Sequence, residues 1–457
     1  MTMKTKTINK SFLTLIFLSF IFISCKKEES KVEYTPSPPE WSKNLSIYEL
    51  NVRQYTEEGN FAAFEKKLPE LKELGVGIIW FMPIHPISEL NRKGTLGSYY
   101  AVKDYKAVNP EFGSIDEFKA LVKKIHDMGM YVIIDWVANH TGWDNVWTET
   151  NPDFYSKDSL GNFYPPVPDW SDVIDLNYDN PKLHDAMIDA LKFWVKECDI
   201  DGYRCDVAAM VPTEFWMRAR KELDEIKPIF MLAEASESYL HPWFDMTYNW
   251  ALKDMMNSIA KGEKNADNLV NLFEEQRKEY QPSDYQMVFT TNHDENSWNG
   301  TVFERLSNAV ETFAVLCGTV SGMPLIYSGQ ETGLDKALSF FEKDLIPWKE
   351  HRLRKVYKRL NELKKKNHAL WNGEAGALME FMNTDNSDVF SFVRAKNGQK
   401  IFAIFNLSPE NQTVKYTNNA AMGRYRNLFA KEGEIELMGE MDFELKPWQY
   451  HVYVKVQ

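Results

Sequence analysis

Met130 to His140 reads MYVIIDWVANH. Its apolar half predicts a strand buried on both faces, and it closes in acidic and polar groups, DWVANH, from Asp135 to His140. The pattern returns downstream. GYRCD closes a candidate strand at Asp206, MLAE another at Glu234, 28 residues on, and FTTNHD a third at Asp294, 60 residues after that. A strand–helix unit takes roughly 30 residues in a barrel of about 250, so these gaps fit one unit and two. Strand ends of one parallel barrel open on a single mouth. The spacing therefore predicts charged groups from several strands gathered at one place.

Working outward, LSIYELNVRQY from Leu45 alternates as a first strand would, and Phe61, Phe64, Leu68, Leu71 and Leu74 recur at helical spacing before Gly75. VGIIWFMP is a second buried strand, and a helix from Ile115 to Met128 leads into the third. From Thr141 to Asn177 the rhythm stops: Gly, Pro, Asn and Asp alternate with Trp143, Trp147, Phe154, Tyr155, Phe163, Tyr164 and Trp170. A loop this long inside a domain is usually functional. It reads as a small inserted subdomain, and it accounts for the 71 residues between Asp135 and Asp206. Helices at 182–198 and 215–226 and strands near Asp245, before Asn292 and at MPLIYSG complete the alternation. A Lys- and Arg-rich helix, 350–366, presents a solvated face. Beyond Ala369, DVFSFVRA, KIFAIFNL and YHVYVKV are purely strand-like. The predicted architecture is α/β: a (β/α)8 TIM barrel over 41–140 and 178–369, an inserted subdomain at 141–177 after strand 3, and a C-terminal all-β sandwich at 370–457.

At 457 residues the chain can bury a substantial core. A net charge of −13 argues against nucleic acid as a partner, because phosphate binding needs clustered cations. Aromatic residues are plentiful, with 14 Trp, 21 Tyr and 28 Phe; most belong to packing, but such rings also stack on the apolar faces of sugars. Four cysteines, Cys25, Cys198, Cys205 and Cys317, are too few for a disulfide framework. Lys4, Lys6 and Lys10 precede an apolar run from Phe12 to Ile23, which makes an export signal rather than a span. Ser24–Cys25 resembles a bacterial lipoprotein signal, although Phe22 stands where Leu is usual. The expectation is a signal peptide at 1–24, a lipidated Cys25, a Pro-rich tether at 25–40 and a place at the bacterial cell envelope.

The chemistry rests on carboxylates. Retaining glycosidases use a carboxylate nucleophile and a carboxylic acid about 5 Å apart. One strand-end carboxylate is usually a cap or a salt-bridge partner; Asp206, Glu234 and Asp294 at barrel spacing are harder to dismiss. Arg204 shares a strand face with Asp206 and would keep that carboxylate ionised. His140 and His293 adjoin the motifs and can donate to sugar hydroxyls.

Taken in order, GVGIIWFMP, DWVANH, IDLN, GYRCD, LAE, TNHD and GMPLIYSGQE resemble the signatures of the α-amylase family, the family 13 glycoside hydrolases. The resemblance spans the first to the eighth strand. It implies Asp206 as nucleophile, Glu234 as general acid/base and Asp294 as the third carboxylate, with Tyr100, His140, Arg204 and His293 binding the reacting sugar. It also implies no cofactor for the chemistry and a structural calcium, with Asn139 and Asp175 as ligands. Ala209 and Met210 replace the Lys-His pair many α-amylases carry, which weakens the expectation of mid-chain cleavage. The function implied is retaining hydrolysis of α-glucans; the Ser24–Cys25 reading adds a lipid anchor in a membrane, and a monomer is expected. A transglycosylase or isomerase on the same scaffold and a non-catalytic glycan-binding protein are the alternatives.

Overall fold

The computed structural model describes residues 34–382, 384–417, 419–430 and 433–456. The expected signal peptide, Cys25 and the start of the expected tether lie outside the described residues. Eight parallel strands close a barrel: β1 (Ile47–Leu50), β2 (Ile78–Phe81), β3 (Tyr131–Trp136), then, after a short antiparallel pair β4 (His140–Gly142) and β5 (Val173–Asp175), β6 (Gly202–Cys205), β7 (Phe230–Ala233), β8 (Met246–Tyr248), β9 (Tyr285–Val288) and β10 (Met323–Tyr327). β10 pairs with β1 in parallel and completes the ring.

Helices clothe the outside, so most barrel positions are buried on both faces. Ile47, Ile78, Ile133, Phe230, Leu232, Met246 and Met287 fill the interior. Their neighbours in sequence, such as Tyr48, Ile79, Ile134 and Met231, pack outward against the helices. The alternation expected through Tyr55 stops at Leu50, because Val52–Tyr55 is a helical turn with all four residues buried. There the Arg53 guanidinium lies over the Tyr99 ring, and this packing overrides the local pattern. Gly202 is required in β6, since a Cβ there would stand 1.9 Å from the Phe230 carbonyl oxygen.

The Lys/Arg-rich helix is Arg352–Lys366, and it is less solvated than its charges suggest. Leu353, Val356, Tyr357, Leu360 and Leu363 are buried, and so is Lys364. After it, β11 (Glu380–Phe381), β12 (Val389–Lys396), β13 (Gln399–Asn406), β14 (Gln412–Thr417), β15 (Gly423–Asn427), β16 (Glu434–Leu437), β17 (Glu440–Leu445) and β18 (Tyr450–Lys455) form antiparallel sheets. The pair β14–β17 packs on the larger sheet through Tyr416 and Phe443 against Phe402. Among the described residues no helix is long and apolar enough to cross a membrane.

Candidate active site

Strand parity builds the mouth. Ile47, Ile133 and Leu232 point inward, so Glu49, Asp135 and Glu234, two residues on, point inward one level higher. Arg204, Trp80 and Tyr248 join them. The Arg204 guanidinium is completely buried at the centre. Its Nη1 lies 2.9 Å from Asp135 Oδ1 and 3.0 Å from Asp206 Oδ1, and its Nη2 lies 2.7 Å from Glu234 Oε1. Its Nε donates to the Tyr248 hydroxyl at 3.1 Å, and the rings of Trp80 and Tyr100 flank the cation.

Each reactive carboxylate has a further fixed contact. The Val207 N–H donates to Glu234 Oε2 at 2.8 Å. Val207 reaches that position at φ +36, a left-handed conformation that a β-branched residue rarely takes. Strain is thus stored one residue after Asp206 to aim an N–H at Glu234. Asp206 Oδ2 lies 4.0 Å from His140 Nε2. The side chains of Asp206, Glu234 and Asp294 keep 10%, 14% and 35% of their surface exposed, so all three open on the mouth.

Asp294 does not close a strand. β9 ends at Val288, and Asp294 sits in the first turn of the helix His293–Trp298. Asn292 caps that helix by accepting from the Glu295 N–H at 2.8 Å, which ends the extended run early. The consequence is useful: the turn presents His293 and Asp294 together, with Nε2 and Oδ2 3.2 Å apart.

The two histidines are held in opposite states. Burial alone pushes His140 down to about 3, so it is neutral. Burial also opposes charge on His293, but Asp294 and Glu49 outweigh it and carry the imidazole up to about 9. Glu49 Oε1 lies 2.5 Å from His293 Nδ1, while Nε2 lies 2.9 Å from the Tyr100 oxygen. Tyr100 in turn donates to Asp135 Oδ2 at 3.0 Å, beside the Trp80 indole N–H.

Five carboxylates (Glu49, Asp135, Asp206, Glu234, Asp294) therefore surround two cations, Arg204 and His293. Buried negative charge in excess holds protons. Burial pushes Asp135 up to about 6 against the pull of Arg204. Burial, and then the Glu234 carboxylate, raise Asp206 while Arg204 opposes them. Together these shifts favour a proton shared within the cluster, against the sequence expectation that Arg204 keeps Asp206 ionised.

All seven residues expected at the mouth, Tyr100, His140, Arg204, Asp206, Glu234, His293 and Asp294, line one site. Asp135 opens the DWVANH motif but was given no role from the sequence, and Glu49 and Tyr248 were not singled out. Parity would have found Glu49, because Ile47 and Glu49 share a face within IYEL. Asn139 and Asp175 meet differently: His140 pairs with Asp175 across β4–β5, and the Asn139 carbonyl accepts from the Leu176 N–H at 3.3 Å. They bring one carboxylate and one amide, and the Asn139 amide nitrogen lies 3.2 Å from His140 Nδ1. No cluster of three or more His, Cys, Asp or Glu fit for a metal exists among the described residues. Two side-chain ligands are a partial set beside the six to eight oxygens calcium takes, and backbone carbonyls and water would have to complete it.

Residues 51–169 and 157–387 match the family described as "Alpha amylase, catalytic domain", and 382–448 match "Alpha amylase, C-terminal all-beta domain". Among curated proteins, Alpha-amylase 3 of Dictyoglomus thermophilum is 24% identical over 83% of this chain and 87% of its own length. Cyclomaltodextrinase of Thermoanaerobacter pseudethanolicus is 25% identical over 82% and 72%. Among solved structures, a noncanonic maltogenic α-amylase from Thermotoga neapolitana superimposes with a TM-score of 0.83 at 30% identity, over 91% of this chain and 99% of that one. An α-amylase from Lactobacillus plantarum gives 0.80 at 32%, over 90% and 99%. With its catalytic and C-terminal parts both matched, this chain belongs to the α-amylase family.

Proposed function

We propose that the chain is a retaining α-glucan hydrolase acting on starch, maltodextrin or related oligosaccharides. Asp206 attacks the anomeric carbon while Glu234 protonates the departing oxygen; Glu234, now a carboxylate, then takes a proton from the water that frees the sugar. Asp294 and the His293 imidazolium bind ring hydroxyls, neutral His140 donates to another, and Tyr100 supplies a stacking face. The observation that carries this reading is the single guanidinium gripping Asp206 and Glu234 with its two Nη atoms. One planar group between them suits the separation of about 5 Å that retention uses. Proton NMR of the first product from maltoheptaose tests it. The α-anomer is expected first, and β-anomer first would overturn retention.

A transglycosylase is the second reading, favoured by Met210, 45% exposed in the turn after β6, and Tyr239, 55% exposed in the turn after β7, which offer an acceptor sugar apolar contact. Attachment to the cell envelope through Cys25 is part of the proposal and rests on the basic, apolar and Ser-Cys order of the first 25 residues. Replacing Cys25 with Ser should move the protein from the membrane to the soluble fraction. A calcium near Asn139 and Asp175 would brace the inserted segment only; chelation should lower the melting temperature without altering product configuration.

A further inference from the structure

The loop after β2 is tied down on two sides above the mouth. Lys93 Nζ lies 3.1 Å from Asp172 Oδ1 and donates to the Asp169 carbonyl at 2.7 Å, both in the segment inserted after β3. Two residues on, the Thr95 N–H donates to Glu342 Oε1 at 2.9 Å and the Thr95 hydroxyl to Oε2. The Leu96 N–H donates to the Phe341 carbonyl at 3.2 Å. Between these anchors Gly94 sits at φ +65, and a Cβ on it would stand 2.4 Å from Phe341 Cβ. Only glycine lets the two loops meet so closely. Phe341 and Glu342 follow β10, so one continuous wall runs from the inserted segment, over β2 and β1, to the loop after β10.

The ring gives this wall a side. Around the barrel the order is β1, β2, β3, β6, β7, β8, β9, β10, which puts β7 diametrically opposite β1. Glu234 follows β7 and protonates the leaving oxygen, so the leaving chain departs on that side, over Ala209 and Met210. The walled side faces the sugar that Asp206 captures, and whatever is joined to its non-reducing end. Inside the wall, Phe340 lies nearly parallel to Tyr100, with ring centroids 6.1 Å apart, and Trp298 packs 5.4 Å from Phe340. The aromatic floor of the site thus runs into the clasp instead of out along an open groove.

We infer that the clasp of Lys93, Gly94 and Thr95 with Asp172, Phe341 and Glu342 closes the non-reducing side of the cleft, so that the enzyme takes chain ends of α-glucans and releases short products. This rests on the hydrolase reading above and adds the direction and position of attack.

The test compares 4-nitrophenyl maltoheptaoside with the same compound blocked by a 4,6-O-ethylidene group on its non-reducing terminal sugar, products being followed by chromatography. The parent enzyme should cleave the blocked compound about 20-fold or more less efficiently, a penalty in the range that a pocket exacts for added bulk. From the open compound, glucose or maltose should be the first product. A Lys93→Ala/Glu342→Ala double variant, altered only at the outer clasp, should cut that ratio several-fold by admitting the blocked end. Equal rates on both compounds with the parent enzyme would overturn the inference and leave the hydrolase standing. An unchanged ratio in the double variant would overturn the role given to the clasp, and cleavage of neither compound would overturn both readings.

Discussion

The two ends of the barrel bury charge in opposite ways. At the mouth, Arg204 is surrounded by carboxylates that reach it from three strand ends. At the floor, Lys364 donates to the Gly322 and Leu370 carbonyls, at 3.1 and 2.7 Å. Beside it, Arg394 of β12 donates to the carbonyls of Thr319, Val320 and Ala377, between 2.7 and 3.0 Å. Burial pulls Arg394 down to about 9 and Lys364 well below its ordinary value, with Arg394 adding to the latter. The floor cations satisfy backbone oxygens where the C-terminal sheet meets the barrel; they move no protons. The mouth has more acids than its cations can neutralise, which favours a proton shared among them. Burial of charge is common to both, and only the identity of the partners separates a structural brace from a reactive site.

The sharpest way to break that contrast is to remove one charged side chain at each end. Asp206→Asn should lower kcat on maltoheptaose on the order of 10⁴-fold, and Glu234→Gln about 10²–10⁴-fold, with melting temperatures near that of the parent. Steady-state kinetics beside thermal unfolding would check both. A Glu234→Gln enzyme with undiminished activity would favour the glycan-binding alternative, with activity owed to a contaminant.

At the floor the expected effects reverse. Arg394→Met takes the donor from the buried Thr319 and Val320 carbonyls and the half-buried Ala377 and Trp371 carbonyls, at about 1–3 kcal/mol for each buried acceptor left unpaired, partly offset by no longer burying the charge. A net loss of about 2–4 kcal/mol should appear as a lower urea midpoint, with kcat of the folded enzyme unchanged. A loss of kcat with no loss of stability would mean that the floor reaches the chemistry.

Acid–base behaviour sharpens the comparison further, because the two ends have opposite signs. His293 is raised in the fold, so the stability it contributes is complete below pH 6.5 and fades as pH climbs from there through about 9. Lys364 is depressed, so the fold gains stability as pH rises through its lowered pKa toward 10.5. Glu49→Gln removes a negative partner from His293 and should move the alkaline limb of kcat/KM to lower pH by about one unit. An unmoved limb, measured between pH 6 and 10, would show that the His293 charge does not govern binding.

Much of this was legible in the chain. The barrel follows from apolar runs at repeating intervals, and six of the seven mouth residues from the polar endings of those runs; Tyr100 came only with the family resemblance. Glu49 escaped because one inward carboxylate in a four-residue strand carries no motif, and its partner His293 lies 244 residues away. The helical start at His293 escaped because the cap on Asn292 is local geometry hidden inside TTNHD. Lys364 read as solvated because a run of three lysines, Lys364 to Lys366, gives no sign of which one turns inward. The clasp escaped for a related reason: it joins three loops, and loop-to-loop contacts have no period.

The smallest effect concerns strain rather than charge. Val207 holds φ +36 so that its N–H meets Glu234, and a left-handed conformation costs an ordinary residue about 1–2 kcal/mol. Val207→Gly would remove that cost and add flexibility to the unfolded chain, worth about 0.5–1 kcal/mol in the other direction. The net change should be a gain of about 1 kcal/mol or less, visible as a slightly higher urea midpoint. The N–H itself survives, so the acid limb of the pH–rate profile should stay in place, while kcat drops a little as the turn loosens its aim. If stability falls instead, Val207 is not strained by its role at the mouth, and the backbone there is set by packing, as it is at the floor.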